Sequence, residues 1–107
     1  MVARSITEVI REFVSRLRTM GIPVSKAVLY GSWASGLPCE HSDIDVAIVS
    51  PHFGKDRLSE GQLLLKQSWR IDPRLEPIPL SDKEFERKDW IPLIFEIKTK
   101  GKEVKID

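Results

Sequence analysis

VLYGSWASG at residues 28–36 and SDIDVAIV at residues 42–49 are the two segments that decide the fold of this chain. Each contains an apolar run of the length and composition typical of a buried strand. A Gly-Ser pair at 31–32 follows the first run, and ten residues later Asp43 and Asp45 open the second. The pattern predicts two strands that bring a flexible turn and a pair of carboxylates to one edge of a sheet.

The two aspartates are predicted to share one side of their strand. Successive strand side chains point to opposite faces, so Asp43 and Asp45 point one way while Ile44, Val46 and Ile48 point the other. One face of this strand is therefore expected to carry the reactive groups of a site, and the other to pack in the apolar core. Neighbouring carboxylates repel each other unless a cation lies between them, and hard oxygen ligands select Mg²⁺ or Mn²⁺.

The Gly-Ser turn has the properties of a phosphate-binding turn. Gly31 lets the backbone approach a phosphate closely, and the amide and hydroxyl of Ser32 can donate to its oxygens, particularly if a short helix starts there. Each half-site alone is ordinary, because Gly-Ser turns and aspartates before strands are common. Together, with Gly36 in the loop and Ser42 before Asp43, they favour a metal–nucleotide site.

The composition limits the classes of function. At 107 residues the chain is expected to form one domain, residues 1–107. Seventeen basic and sixteen acidic residues leave a net charge of +1, which disfavours strong nucleic-acid binding. With one cysteine, Cys39, an intrachain disulfide is impossible. No apolar signal core or membrane-length apolar run is found, so we expect a cytoplasmic protein without membrane association.

The order of elements predicts an α+β (α/β) domain with a small mixed β-sheet flanked by helices. Helices are expected over residues 5–20, 58–69 and 90–99, with a shorter one after Ser81. Strands are expected over residues 27–30, 44–49 and 74–80, and residues 102–106 could add a last one. Pro77 and Pro79 cannot donate to a ladder, so residues 74–80 are expected to form an edge or short strand.

Two aromatic features remain open to alternative interpretations. Residues 90–97 are apolar around most of a helix circumference, which indicates either a partner surface or a deeply buried terminal helix. Trp33, beside the turn, could stack on a base or serve as a packing anchor.

With these motifs the chain resembles the minimal nucleotidyltransferases of the DNA polymerase beta superfamily. Their hallmark is a helix, a strand, Gly-Ser, a ten-residue spacer and Asp-x-Asp, and the resemblance covers nearly the whole chain. It implies that Asp43 and Asp45 hold the metal ions that bind a nucleotide triphosphate, and that a third carboxylate on a later strand completes the site. Glu76 is the best match and Asp72 the alternative, although Glu76 could instead be a solvated edge carboxylate.

The resemblance implies an in-line attack of a hydroxyl on the α-phosphorus of ATP, with pyrophosphate leaving. Asp43, Asp45 and Glu76 would be catalytic residues and metal ligands, with Glu76 also acting as base. The implied nucleotide-binding residues are Gly31, Ser32, Ser35 and Ser42.

The chain departs from the family pattern at Ser35, where many members carry arginine. Without that arginine the triphosphate loses a bidentate partner, so affinity falls or another cation substitutes. Lys55, Arg57 and Arg74 are the candidates, although each such residue is more often a solvated surface charge.

At 107 residues the chain is expected to lack a separate acceptor-holding domain. The resemblance therefore implies the antitoxin of a toxin–antitoxin pair, which transfers AMP to a tyrosine of a helical HEPN-type ribonuclease toxin. One alternative is a binding module that assembles with a helical partner without catalysis. A second is an enzyme that adenylylates a small hydroxylated molecule. Both a homo-oligomer and a hetero-oligomer remain open.

Overall fold

The computed structural model describes residues 5–35 and 43–106. In chain order they form α1 (Ile6–Thr19), β1 (Lys26–Tyr30), α2 (Ser32–Ser35), β2 (Ile44–Val49), α3 (Arg57–Trp69), β3 (Leu75–Leu80), α4 (Asp82–Arg87), α5 (Pro92–Lys100) and β4 (Lys102–Val104). The strands form a single mixed sheet in the order β3-β2-β1-β4. β1 is antiparallel to β2 and β4, whereas β3 runs parallel to β2 after a crossover through α3. The predicted α+β class is confirmed.

The larger of two apolar clusters among the described residues contains the buried face of helix α1. Ser5 caps this helix by accepting a hydrogen bond from the Glu8 amide. One face of α1 is buried, at Val9, Ile10, Phe13, Val14 and Leu17. These side chains pack against the face of the sheet that carries Ile44, Val46 and Ile48, together with Leu64 of α3. At 14 residues α1 is the longest helix described, and no described helix is long and apolar enough to cross a membrane.

The opposite face of the sheet is also apolar. Its cluster consists of Val28, Tyr30, Ala47, Val49, Leu80, Ile94 and Ile97, the last two from α5. Ala47 and Val49 alternate with Asp45, so α5 covers most of the β2 face that carries this aspartate. The prediction that one face of β2 carries the reactive groups and only the other packs in the core is therefore wrong. Both faces are core, and the carboxylates are confined to one end of the strand.

Helix α5 combines the two interpretations of the apolar segment. Ile94 and Ile97 are buried against the sheet, while Leu93 and Phe95 keep 44% and 56% of their surface exposed. Trp90, just before the helix, is 74% exposed. One stripe of the segment therefore completes the core and another remains at the surface.

Strand β3 lies at an edge of the sheet, as its prolines predict. Its two ends are tied by the hydrogen bonds Ile44 N to Arg74 O at 2.7 Å and Ser50 N to Leu80 O at 2.9 Å. In a parallel ladder the nitrogen and the carbonyl of one residue point the same way, so the carbonyls of Pro77 and Pro79 face outward and their nitrogens carry no hydrogen. The remaining outward N–H, on Leu75, donates to the Asp72 carbonyl at 3.1 Å. The outer edge of β3 consequently has no N–H left for a further strand.

We expect Phe13→Ala to lower the free energy of unfolding by about 3–5 kcal/mol, because it leaves a cavity under the sheet. Ser15→Ala, on the exposed side of the same helix, should change it by less than about 0.5 kcal/mol. Denaturant unfolding of both variants measures the difference. Equal losses in the two variants would contradict the assignment of the buried face.

Candidate active site

Three predicted carboxylates lie at the same end of the sheet. Asp43 is exposed directly before β2, Asp45 is half-buried at the second residue of β2, and Glu76 is exposed at the second residue of β3. Asp45 and Glu76 are direct partners in the parallel register, so their side chains leave neighbouring strands on the same face. The sheet thus places Glu76 next to the Asp-x-Asp pair, although Glu76 lies far from that pair in the sequence.

The carboxylates act on one another electrostatically. Burial raises the pKa of Asp45, and the charges of Asp43 and Glu96 raise it further. Burial also raises the pKa of Glu76, with added contributions from Asp43 and Asp45. A cation among these groups would favour their charged forms and relieve the repulsion.

Glu96 is a fourth carboxylate that the sequence interpretation missed. It lies on α5 between Phe95 and buried Ile97, and its charge acts on both Asp45 and Tyr30. No motif surrounds it in the sequence. Only the packing of α5 on the sheet brings it towards the Asp-x-Asp pair.

Tyr30 is a buried phenol beside the carboxylates. It pairs with Asp45 across β1 and β2 and is 8% exposed. Burial, followed by the charges of Asp45, Glu96 and Glu76, raises the pKa of Tyr30 to about 12. The phenol therefore stays neutral at physiological pH and adds no further negative charge to the site.

The Gly31 turn packs directly on the Asp45 carboxylate. Gly31 has φ of 72°, in the left-handed region that favours glycine. A Cβ at this position would also collide with Oδ2 of Asp45. Two constraints therefore favour glycine at position 31: the left-handed backbone conformation, and the close approach of the Asp45 carboxylate to this residue. Ser32 follows as the first residue of the short helix α2, the condition under which its amide and hydroxyl were expected to donate most readily to a phosphate.

The nucleotide-binding roles of Gly31, Ser32, Ser35 and Ser42 all stay predictions. Ser35 is the last residue of α2. Ser42 lies outside the described residues, as do Gly36 and Cys39.

Asp72, the alternative third carboxylate, is engaged elsewhere. Its Oδ2 accepts from a terminal nitrogen of Arg74 at 2.8 Å, and its Oδ1 accepts from Nε at 3.1 Å. The same Oδ1 accepts from the Arg74 backbone amide at 2.9 Å. Asp72 is therefore held by Arg74, and Glu76 as the third carboxylate of the site stays a prediction.

The Arg74 guanidinium faces the Trp33 ring, with 5.9 Å between its central carbon and the ring centroid. Trp33 is half-buried and packs against the larger core. The interpretation of Trp33 as a packing anchor thus has structural support, and a cation lies over its ring as well.

The carboxylates fit a divalent cation by their chemistry. Carboxylate oxygens are the ligands that Mg²⁺ and Mn²⁺ prefer, and the mutual repulsion at this end of the sheet favours a bound cation. Within residues 5–35 and 43–106, no three His, Cys, Asp or Glu side chains converge into a metal-binding group. Asp43, Asp45 and Glu76 are therefore neighbours on one face rather than a closed set of ligands.

Comparisons with known proteins agree with this fold. The family model of the nucleotidyltransferase domain matches residues 8–106. A candidate protein adenylyltransferase from Methanocaldococcus jannaschii is 25% identical over 101 residues, which cover 90% of this chain and 69% of that protein.

Two solved structures share the architecture. A candidate nucleotidyltransferase from Sulfolobus solfataricus aligns with a TM-score of 0.61 and 19% identity, covering 77% of this chain and 72% of that chain. A toxin–antitoxin structure solved with AMP-PNP aligns with a TM-score of 0.65 and 21% identity, covering 94% of this chain and 73% of that chain. At these identities the likeness shows a shared fold.

We expect Asp45→Asn to raise the melting temperature of the metal-free protein at pH 7. The folded state raises the pKa of Asp45, so its ionised form opposes folding at neutral pH. This penalty disappears as pH falls through the raised pKa, so the advantage of the variant should shrink towards pH 4. Thermal unfolding in EDTA measures both effects, with exposed Glu86→Gln as the control. A variant less stable than wild type at pH 7 would contradict the repulsion.

Proposed function

The chain belongs to the nucleotidyltransferase domain family, and on that premise we propose that it transfers AMP from Mg-ATP to a hydroxyl group. One observation carries the proposal: Asp45 and Glu76 stand side by side in the sheet, with the Gly31 turn packed on the Asp45 carboxylate. Transfer of a nucleotidyl group needs carboxylates for metal and a backbone that approaches the phosphates closely. Both are present at this end of the sheet.

Each carboxylate has a proposed role. Asp43 and Asp45 hold Mg²⁺, which when bound supplies charge stabilisation at the phosphate oxygens. Glu76 accepts the proton of the acceptor hydroxyl, because it lies beside Asp45 in the sheet. The hydroxyl oxygen forms a bond to the α-phosphorus while the bond to the bridging oxygen breaks, so pyrophosphate leaves.

We propose that the acceptor is a tyrosine of a helical HEPN-type toxin and that the chain acts as its antitoxin. Two comparisons support a protein acceptor: the M. jannaschii relative is a candidate protein adenylyltransferase, and one structure of the same fold is a toxin–antitoxin structure. The exposure of Asp43 and Glu76 is compatible with access by a protein segment.

An apolar groove offers a docking surface for a helical partner. It has a volume of about 570 Å³ and lies between α3, β3 and α5. Its apolar lining comes from Leu58, Leu65, Pro77, Ile78, Pro79, Leu80, Ile91, Leu93 and Ile94. Leu58 is 72% exposed, and Trp69 farther along the same helix is 63% exposed. Exposed apolar side chains in this density mark an interaction surface.

The groove favours a helix over a strand as its occupant. The outward positions of β3 carry Pro77 and Pro79, so this edge offers no N–H donor to a further strand. Lys66 and Arg70 are exposed beside Trp69. An amphipathic helix with acidic residues along its apolar stripe would complement both the groove and these cations.

A non-catalytic binding module is the second candidate function. The serine at position 35, where many related proteins carry arginine, favours it. In that case the partner is held through the groove and the carboxylates play no part in neutralising it.

The test of transfer is the intact mass of the helical partner after co-expression with this chain. We expect one or more added AMP units with wild type and none with Asp43→Ala/Asp45→Ala. Glu76→Gln should slow transfer by about 10²–10⁴-fold, the typical contribution of a general base. Exposed Glu86→Gln serves as the matched control and should transfer normally. Unchanged mass with an intact complex would replace transfer with the binding module.

Leu58→Asp should weaken binding of the partner by on the order of 10-fold or more, because it places a charge at the mouth of the groove. The side chain is 72% exposed, so the melting temperature of the isolated chain should stay near that of wild type. Titration calorimetry with the purified partner measures the affinity. Met20→Asp, at the exposed apolar residue that follows α1, is the control, and equal effects of the two substitutions would rule out the groove.

A further inference from the structure

Arg74 directly precedes β3 and contacts both β2 and α2, the elements that carry the aspartates and follow the Gly-Ser turn. Its carbonyl accepts a hydrogen bond at 2.7 Å from the amide of Ile44, the residue between the two aspartates. Glu76 follows two residues later on the same strand. The backbone of Arg74 is therefore held at the end of the sheet that carries the three carboxylates.

The side chain of Arg74 is held as firmly as its backbone. The bidentate contact with Asp72, at 2.8 and 3.1 Å, orients the guanidinium plane, and the Trp33 ring lies 5.9 Å from its central carbon. Trp33 directly follows Ser32 of the Gly-Ser turn. The guanidinium thus sits between the α2 segment that follows this turn and the start of β3, with 34% of the side chain exposed.

The guanidinium keeps donors for an anion. It has five N–H groups in a planar fork, and the contacts recorded among the described residues engage Nε and one terminal nitrogen. A guanidinium oriented in advance by a carboxylate and a ring loses little freedom when it binds a phosphate. Such a donor can bind phosphate oxygens bidentately even though Asp72 balances its net charge.

The two other candidate cations have different surroundings. Arg57 forms an ion pair with Glu84 and lines the apolar groove, and Lys55 lies in the turn before α3. Within the part of the chain that the structure describes, Arg74 differs from Arg57 and Lys55 in two contacts. Its guanidinium lies over the Trp33 ring, and its carbonyl accepts from Ile44, between the two aspartates.

We propose that Arg74 binds the β- and γ-phosphates of the nucleotide in place of the arginine that many relatives carry at the position of Ser35. Asp72 and Trp33 are positioning residues that orient its guanidinium. This inference rests on the proposed function, because it assumes that a nucleoside triphosphate binds at the carboxylates.

The test compares binding of AMP-PNP and AMP to the full chain in Mg²⁺ by titration calorimetry. Arg74→Ala should weaken AMP-PNP binding by about 10- to 100-fold, the loss of a charged bidentate contact, and should change AMP binding much less. Arg74→Lys should fall between the two, because lysine keeps the charge without the fork. Arg87→Ala, at the exposed arginine that ends α4, is the matched control. Melting temperatures of the free variants report any loss of folding, and Arg74→Lys keeps the test informative if Arg74→Ala unfolds.

The outcomes separate the two proposals. Wild-type affinity for AMP-PNP in both Arg74 variants overturns the role of Arg74 and leaves the proposed function standing. Equal weakening of AMP-PNP and AMP also overturns it, because the residue would then act on the nucleoside end or on folding. If wild type shows no binding of AMP-PNP in Mg²⁺, the proposed transfer reaction and the role of Arg74 both fail.

Discussion

The register of β2 between its two neighbours determines the geometry of the candidate site. Asp45 pairs with Tyr30 of β1 on one side and with Glu76 of β3 on the other. A slip of one residue would turn Asp45 into the larger apolar core and bring Ile44 or Val46 to the carboxylate face. The buried side chains on both faces of β2 oppose such a slip, because each must leave its own cluster. The apolar core is therefore what keeps the carboxylates together.

This arrangement places like charges together at a partly buried edge. Asp45 is half-buried beside Asp43 and Glu76, and α5 adds Glu96 to the same region. Such repulsion lowers the stability of the metal-free fold, a common property of sites built to bind a cation. The buried, neutral ring of Tyr30 lies beside these carboxylates. The Gly31 turn packs against the carboxylate of Asp45.

Most of the helices and strands could be predicted because their signals are local. The Ser5 cap precedes a regular apolar stripe, and Pro77 and Pro79 restrict their strand to an edge. The Asp-x-Asp pair was predictable because its two side chains share one face of one strand. Glu76 needed the resemblance as well as its place on a later strand, since nothing nearby in the sequence distinguishes it from a solvated glutamate.

The sequence by itself determined the class of fold, the turn at Gly31 and the pairing of Asp43 with Asp45, because each depends on residues within a few positions of one another. Only the tertiary structure decided that α5 covers the face carrying Asp45, that Glu96 joins the carboxylates, and that Arg74 meets Trp33. It also pairs Asp72 with Arg74 and brings Glu76 beside Asp45. These features depend on contacts between elements distant in sequence, which are set by the packing of the whole core rather than by local pattern.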